Sequence, residues 1–93
     1  MDGEGVMWYV LAGTRGGENR ARILQCIDER PRNPNQIAEA LDLNYTTVCH
    51  HLDVLSDNDM VERAGEGYGA VYLPSRRTRD HWDLVERILE QIG

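Results

Sequence analysis

The sequence has no lysine and no phenylalanine, and its ten basic residues are all arginine. It also has no apolar run approaching the roughly eighteen residues of a membrane span, which excludes a transmembrane helix. Its two cysteines, Cys26 and Cys49, cannot form the disulfide framework that small secreted domains need, so reduced thiols are expected, and neither has a CxxC partner. The start, Met1-Asp2-Gly3-Glu4-Gly5, is acidic and lacks the basic flank of a secretory signal, so the protein is expected to stay in the cytoplasm. At 93 residues the chain has apolar side chains for one modest core, which rules out a second domain and leaves little room for a catalytic cavity. What is present, 41% hydrophobic and 28% charged residues, is the composition of a soluble globular protein.

Sixteen carboxylates leave a formal charge of −6. A lysine-free acidic surface fits a salt-loaded cytoplasm, where self-repulsion is screened within a few ångströms and carboxylates stay hydrated. A GC-rich genome, which favours arginine codons, gives the same composition, and the two explanations are compatible.

Along the chain, Val6-Met7-Trp8-Tyr9-Val10-Leu11-Ala12 forms a short apolar segment, too short to stand alone, that ends in the flexible break Gly13-Thr14-Arg15-Gly16-Gly17. Ala21, Ile23, Leu24 and Ile27 recur at helical spacing and predict a helix over 18–30, with Glu18 early and Arg30 late. Pro31 stops it. Asn33-Pro34 then supplies an N-cap and a proline at the first helical position, opening a helix over 34–41 with Ile37, Ala38 and Leu41 inward. After Asp42-Leu43-Asn44 a third helix is predicted over 45–57, with Asn44 as its cap and Val48, Leu52 and Leu55 as its buried stripe. Two short helices joined by about three residues make a helix-turn-helix. Strands over 60–64 and 70–73 flank a glycine-rich turn and read as a β-hairpin. A last helix over 76–92 carries Trp82, Val85, Leu89 and Ile92, widened by Leu84 and Ile88.

This order resembles the winged helix-turn-helix domain of archaeal and bacterial transcription regulators similar to the arsenical-resistance repressor (ArsR). The likeness spans about residues 18–73 and is carried most specifically by residues 36–55, from Gln36-Ile37-Ala38 through Leu43-Asn44-Tyr45-Thr46-Thr47-Val48 to His51-Leu52-Asp53-Val54-Leu55, followed by Met60-Val61. The flanking Met7-Trp8-Tyr9-Val10-Leu11-Ala12-Gly13 and Gly67-Tyr68-Gly69-Ala70-Val71-Tyr72 resemble a haloarchaeal subgroup. The expected fold is mainly α with a small β-hairpin: a single winged helix-turn-helix domain over 1–93, whose terminal segments 6–12 and 76–92 form a dimer interface. The resemblance implies a homodimer on double-stranded DNA, with recognition helices in successive major grooves and wings on the flanking backbone.

The residues expected to touch DNA are Asn44, Tyr45, Thr46, Thr47, Cys49 and His50 on and beside the recognition helix, with Arg63 and Tyr68 in the wing. Asp53 shares the outward face. His51 falls by helical phase at the edge of the core, where a structural hydrogen bond is expected rather than a base contact. Arg15, Arg20, Arg22, Arg30, Arg32, Arg76, Arg77 and Arg79 are candidates for peripheral phosphate clamps, or for an ordinary solvated face. Related recognition helices carry lysine or arginine where this chain has Thr46 and Cys49. Residues 43–62 hold four carboxylates and no cation, which opposes phosphate binding except where molar salt screens the repulsion.

The dimer is expected to close through Met7, Trp8, Val10, Leu11, Trp82, Val85, Leu89 and Ile92, which would leave a large apolar patch on a monomer. Packing of the two terminal segments on each other within one chain is the competing reading. No metal and no cofactor is expected: Cys49 has only His50 and Asp53 beside it, Asp80-His81 offers a single histidine, and neither closes a ligand set. An enzyme is not expected either, since there is no phosphate loop, nucleophile frame or paired carboxylate. The second functional class left open is a protein-interaction module that keeps the fold but has lost DNA binding, with other transcription proteins as its partners.

Overall fold

In the computed structural model, residues 3–13 and 15–92 are described, without the side chains of Tyr68 and Ile92. The helices are α1 (Gly3–Ala12), α2 (Gly17–Glu29), α3 (Pro34–Leu41), α4 (Tyr45–Asp57), α5 (Arg76–Asp80) and α6 (Trp82–Ile92), and the strands are β1 (Val61–Ala64) and β2 (Val71–Pro74). This is the expected winged helix-turn-helix architecture, with two additions.

The apolar segment at the start is a helix. It packs against α2 and α6. Met7, Val10 and Leu11, at i, i+3 and i+4, are buried there, 0%, 3% and 1% exposed. A correction concerns the last helix, expected to be continuous over 76–92. It breaks at His81, whose backbone is non-helical. Ser75 caps α5 by accepting from the Thr78 amide at 3.1 Å, and the Thr78 hydroxyl donates to the Met60 carbonyl at 2.8 Å, both inside the protein. That anchor fixes the direction of α5, and the chain must turn before Leu84, Val85 and Ile88 can reach the core.

The middle of the chain follows its local signals. Asn33 and Gln36 form a reciprocal capping box: the Asn33 side chain accepts from the Gln36 amide at 2.8 Å, and the Gln36 side chain accepts from the Asn33 amide at 2.9 Å. Asp42 closes α3 in the left-handed conformation (φ 54°), and the Leu43 amide donates to the Ala38 carbonyl at 2.9 Å. Asn44 caps α4 by accepting from the Thr46 amide at 2.8 Å. The strands pair antiparallel from Val61 opposite Pro74 to Ala64 opposite Val71. Their connection turns at Gly65 and Gly67, both at positive φ, through a 3₁₀ turn over Gly67–Gly69. Arg32 and Tyr72 exchange backbone hydrogen bonds of 3.2 and 2.8 Å, which ties the wing to the α2–α3 connection. Ile23, Leu24, Ile27, Ile37, Val48, Leu52 and Leu55 form the centre of the core, so the expected stripe of α4 is buried, while on α3 Ile37 is buried and Ala38 and Leu41 pack against the core half-buried.

Candidate nucleic-acid interface

The candidate interface is built from α4 and the wing beside it. Because Val48, Leu52 and Leu55 are fixed in the core, the rest of α4 divides into two stripes. Thr46 and His50 are four residues apart and both exposed. Tyr45, Cys49 and Asp53, at i, i+4 and i+8, flank a cleft of about 350 Å³ that is also lined by Asn35 at the start of α3 and by Arg63 and Tyr72 from the wing. Thr46 and His50 are thus free to meet base edges, whereas Cys49 is half-buried in the cleft wall and Tyr45 is 45% exposed at its rim. Thr47 is half-buried. The Asn44 side-chain oxygen is occupied as the α4 cap, which leaves its amide group as the part able to donate to DNA. In the wing, Arg63 is exposed and donates to the Gly67 carbonyl at 3.3 Å, holding the turn; the Tyr68 side chain lies outside the described residues.

On sequence grounds the cleft members Pro34, Asn35 and Tyr72 have no role in the site: Pro34 reads only as a helix start and Tyr72 only as part of the hairpin. His51 is where its helical phase puts it. It is 6% exposed, and its Nδ1 accepts from the Arg20 guanidinium at 3.2 Å. Burial, then the Arg20 charge, then His50 beside it, push the His51 pKa below the usual histidine range, so the ring is neutral near pH 7.

Several arginines serve the fold rather than a phosphate. Arg20 is 4% exposed. Arg32 is half-buried, bonds the Cys26 carbonyl and sulfur, and stands 3.5 Å from Glu29. Arg77 bonds the Asn58 carbonyl. Arg15, Arg22, Arg30, Arg76 and Arg79 are exposed. The carboxylates Asp53 and Asp57 on α4, Asp59 just after it and Glu62 on β1 are all exposed as well.

Of the residues expected between two copies, Met7, Val10, Leu11 and Val85 are buried within the protomer. The reason is that α1 and α6 pack on each other and on α2. Trp8, Trp82 and Leu89 pack on the core but stay half-buried, and Tyr9 is 65% exposed. The Ile92 side chain lies outside the described residues. Among the described residues, no three His, Cys, Asp or Glu side chains come together to hold a metal ion, and no helix is long and apolar enough to cross a membrane.

A capped helix-turn-helix followed by a two-stranded wing defines a winged helix-turn-helix domain. Residues 18–64, just over half of the chain, match a family model described as a helix-turn-helix domain, and the chain belongs to that family. Solved structures agree on the fold. A homodimeric winged helix-turn-helix DNA-binding domain from Mycobacterium bovis, a possible ArsR-family transcriptional regulator, aligns with a TM-score of 0.73 at 21% identity, over 95% of this chain and 80% of its own. The transcriptional regulator SlyA aligns with a TM-score of 0.71 at 16% identity, over 95% of this chain and 65% of its own. An ArsR-like transcriptional regulator from a Rhodococcus species aligns with a TM-score of 0.67 at 21% identity, over 97% of this chain and 79% of its own. At these identities the likeness is one of fold. Among curated proteins, none matches the sequence as a relative.

Proposed function

We propose that the protein is a sequence-specific, DNA-binding transcriptional regulator that works in the cytoplasm as a homodimer, with α4 in the major groove and the β1–β2 wing on the flanking backbone. The observation that carries this reading is the division of α4: its apolar stripe is buried, Thr46 and His50 stand exposed on one outward stripe, and Tyr45, Cys49 and Asp53 on the other share a cleft with Arg63 of the wing. The fold shared with the regulators above supports it. The dimer contact falls to the parts of α1 and α6 left partly open, Trp8, Trp82 and Leu89, together with the exposed Tyr9. The lysine-free basic set and the charge of −6 support a haloarchaeal member of the ArsR-like regulators, binding DNA in concentrated salt without a cofactor.

One observation favours a second reading. Four exposed carboxylates and no cation over residues 43–62 suit a protein partner better than a phosphate backbone at low salt. Fluorescence-anisotropy titration against the gene's own upstream duplex and a scrambled duplex, from low to molar potassium chloride, separates the two. Preference for the upstream duplex that persists in molar salt supports the regulator; a folded dimer that binds neither duplex at any salt supports the interaction module.

A further inference from the structure

The turn between α1 and α2 is built around one buried cation. Arg20 sends Nε to the Val10 carbonyl at 3.0 Å, in the last turn of α1, and one terminal nitrogen to the Arg15 carbonyl at 3.2 Å, in the connecting turn. Its other terminal nitrogen reaches His51 Nδ1 at 3.2 Å, on α4. One guanidinium therefore holds three separate segments, and it is 4% exposed. The backbone is shaped to admit it. Gly16 has φ +88°, and a Cβ there would stand 2.9 Å from His51 Cε1 and 3.3 Å from the Arg20 nitrogen. A Cβ on Gly17 would stand 2.3 Å from the Leu11 carbonyl oxygen. The two glycines bring the end of α1, the start of α2 and the His51 ring into contact.

We infer that the Arg20–His51 contact is a proton-operated joint: Arg20 is a positioning residue that sets α4 relative to α1, and a proton on His51 releases it. The regulatory consequence rests on reading α4 as the DNA-contacting helix; the joint itself does not. An arginine in a protein only donates, so His51 Nδ1 accepts and the neutral ring carries its hydrogen on Nε2. Adding a proton to Nδ1 sets an N–H against an N–H and a second positive charge against the guanidinium, in a place from which water is excluded. The contact then turns from attractive to repulsive. Among the described residues, the charged and titratable groups acting on the ring are Arg20 from α2 and His50 from α4 itself, 5.5 Å away between ring centres. Both oppose protonation. Protonation of the ring and opening of the Arg20–His51 contact are therefore linked.

Amide and imidazole NMR of the full chain, titrated from neutral to mildly acid pH without DNA, tests the joint. The result expected is that the Gly16 and Gly17 amide signals move with the same midpoint as the His51 ring, below the ordinary histidine range. His51→Asn, which offers an acceptor at the Nδ1 position but does not titrate, is expected to abolish that movement; His50→Gln is expected to keep it. The proposal is overturned if the ring titrates while the glycine amides stay still, or if they move equally in His51→Asn. Should His51→Asn not fold, the comparison of midpoints in the unmodified chain decides alone. Anisotropy with the upstream duplex over the same pH range is then expected to weaken with the His51 midpoint. If the amides follow the ring but no duplex binds at any pH, the joint stands and the DNA reading fails.

Discussion

Replacing Gly17 by alanine sets two effects of opposite sign against each other. Within a helix, alanine is favoured over glycine by about 1 kcal/mol, and less in the first turn. Gly17 opens α2 without a positive φ, so backbone conformation does not oppose the change. Space does. The new Cβ would stand 2.3 Å from the Leu11 carbonyl oxygen, 2.7 Å from its carbonyl carbon and 3.2 Å from the Val10 oxygen, all of them backbone atoms. To restore ordinary contact the last turn of α1 must withdraw by about 1 Å, which a close-packed interior resists. That movement also stretches the 3.0 Å bond from Arg20 to the Val10 carbonyl. Overpacking of this kind costs about 1–3 kcal/mol where side chains can yield, and here the obstacle is main chain. The expected net loss is about 2 kcal/mol, or a fall in Tm of roughly 8–16 °C for a domain of this size. Thermal unfolding by circular dichroism measures it. Gly69→Ala is the control: a Cβ there meets nothing within 4 Å, so stability should change by less than about 0.5 kcal/mol. A Gly17→Ala protein as stable as the parent refutes the close approach of α1 to α2.

Thr78→Val should lower stability by about 1 kcal/mol in urea unfolding, because the Met60 carbonyl loses the Thr78 hydroxyl at 2.8 Å but keeps the Ser75 amide at 2.9 Å. Stability should also depend on pH through His51. Its folded pKa lies below the unfolded value of about 6.5, so the stabilisation is fully present above that pH and is lost as pH falls toward the folded pKa. Urea midpoints across this range should flatten in His51→Asn. Thr46→Arg adds a cation to the exposed stripe of α4 and should tighten DNA binding, with the logarithmic salt slope steeper by about 0.9 if it meets a phosphate. With iodoacetamide, Cys49 should react while the native Cys26, buried and with its thiol pKa raised by that burial, stays unmodified until the protein unfolds.

The parts of the fold legible in the sequence are those written locally. Asn33-Pro34 and Asn44 cap the helices they were expected to cap, and the α3 and α4 boundaries fall where cap and period put them. The hairpin follows from two short apolar runs around glycines. What escaped the sequence depends on partners. α1 shows no distinct apolar stripe in sequence because the exposed Tyr9 and the half-buried Val6 and Trp8 are as apolar as the buried Met7, Val10 and Leu11, so periodicity is silent there. The bend at His81 is set by a hydrogen bond from Thr78 to Met60, eighteen residues back. Arg20 was grouped with solvent-facing cations, although it shares the phase of Leu24 and Ile27 at i+4 and i+7 and is buried with them. In the candidate site, helical phase separated inward from outward residues on α4, including His51. It could not divide the outward ones between groove and wing, because that depends on where the hairpin lies. The same limit applies to the terminal segments: an apolar stripe records that something covers it, not whether the cover belongs to the same chain.

The central claim is that α4 and the wing contact DNA. Amide chemical-shift mapping of the chain with its own upstream duplex, in molar potassium chloride, tests this most directly. The account predicts that the largest changes fall at Thr46, His50 and the wing over residues 63–69, with α6 unmoved. Changes confined to the arginines of α5 or to α6, with α4 silent, would contradict it.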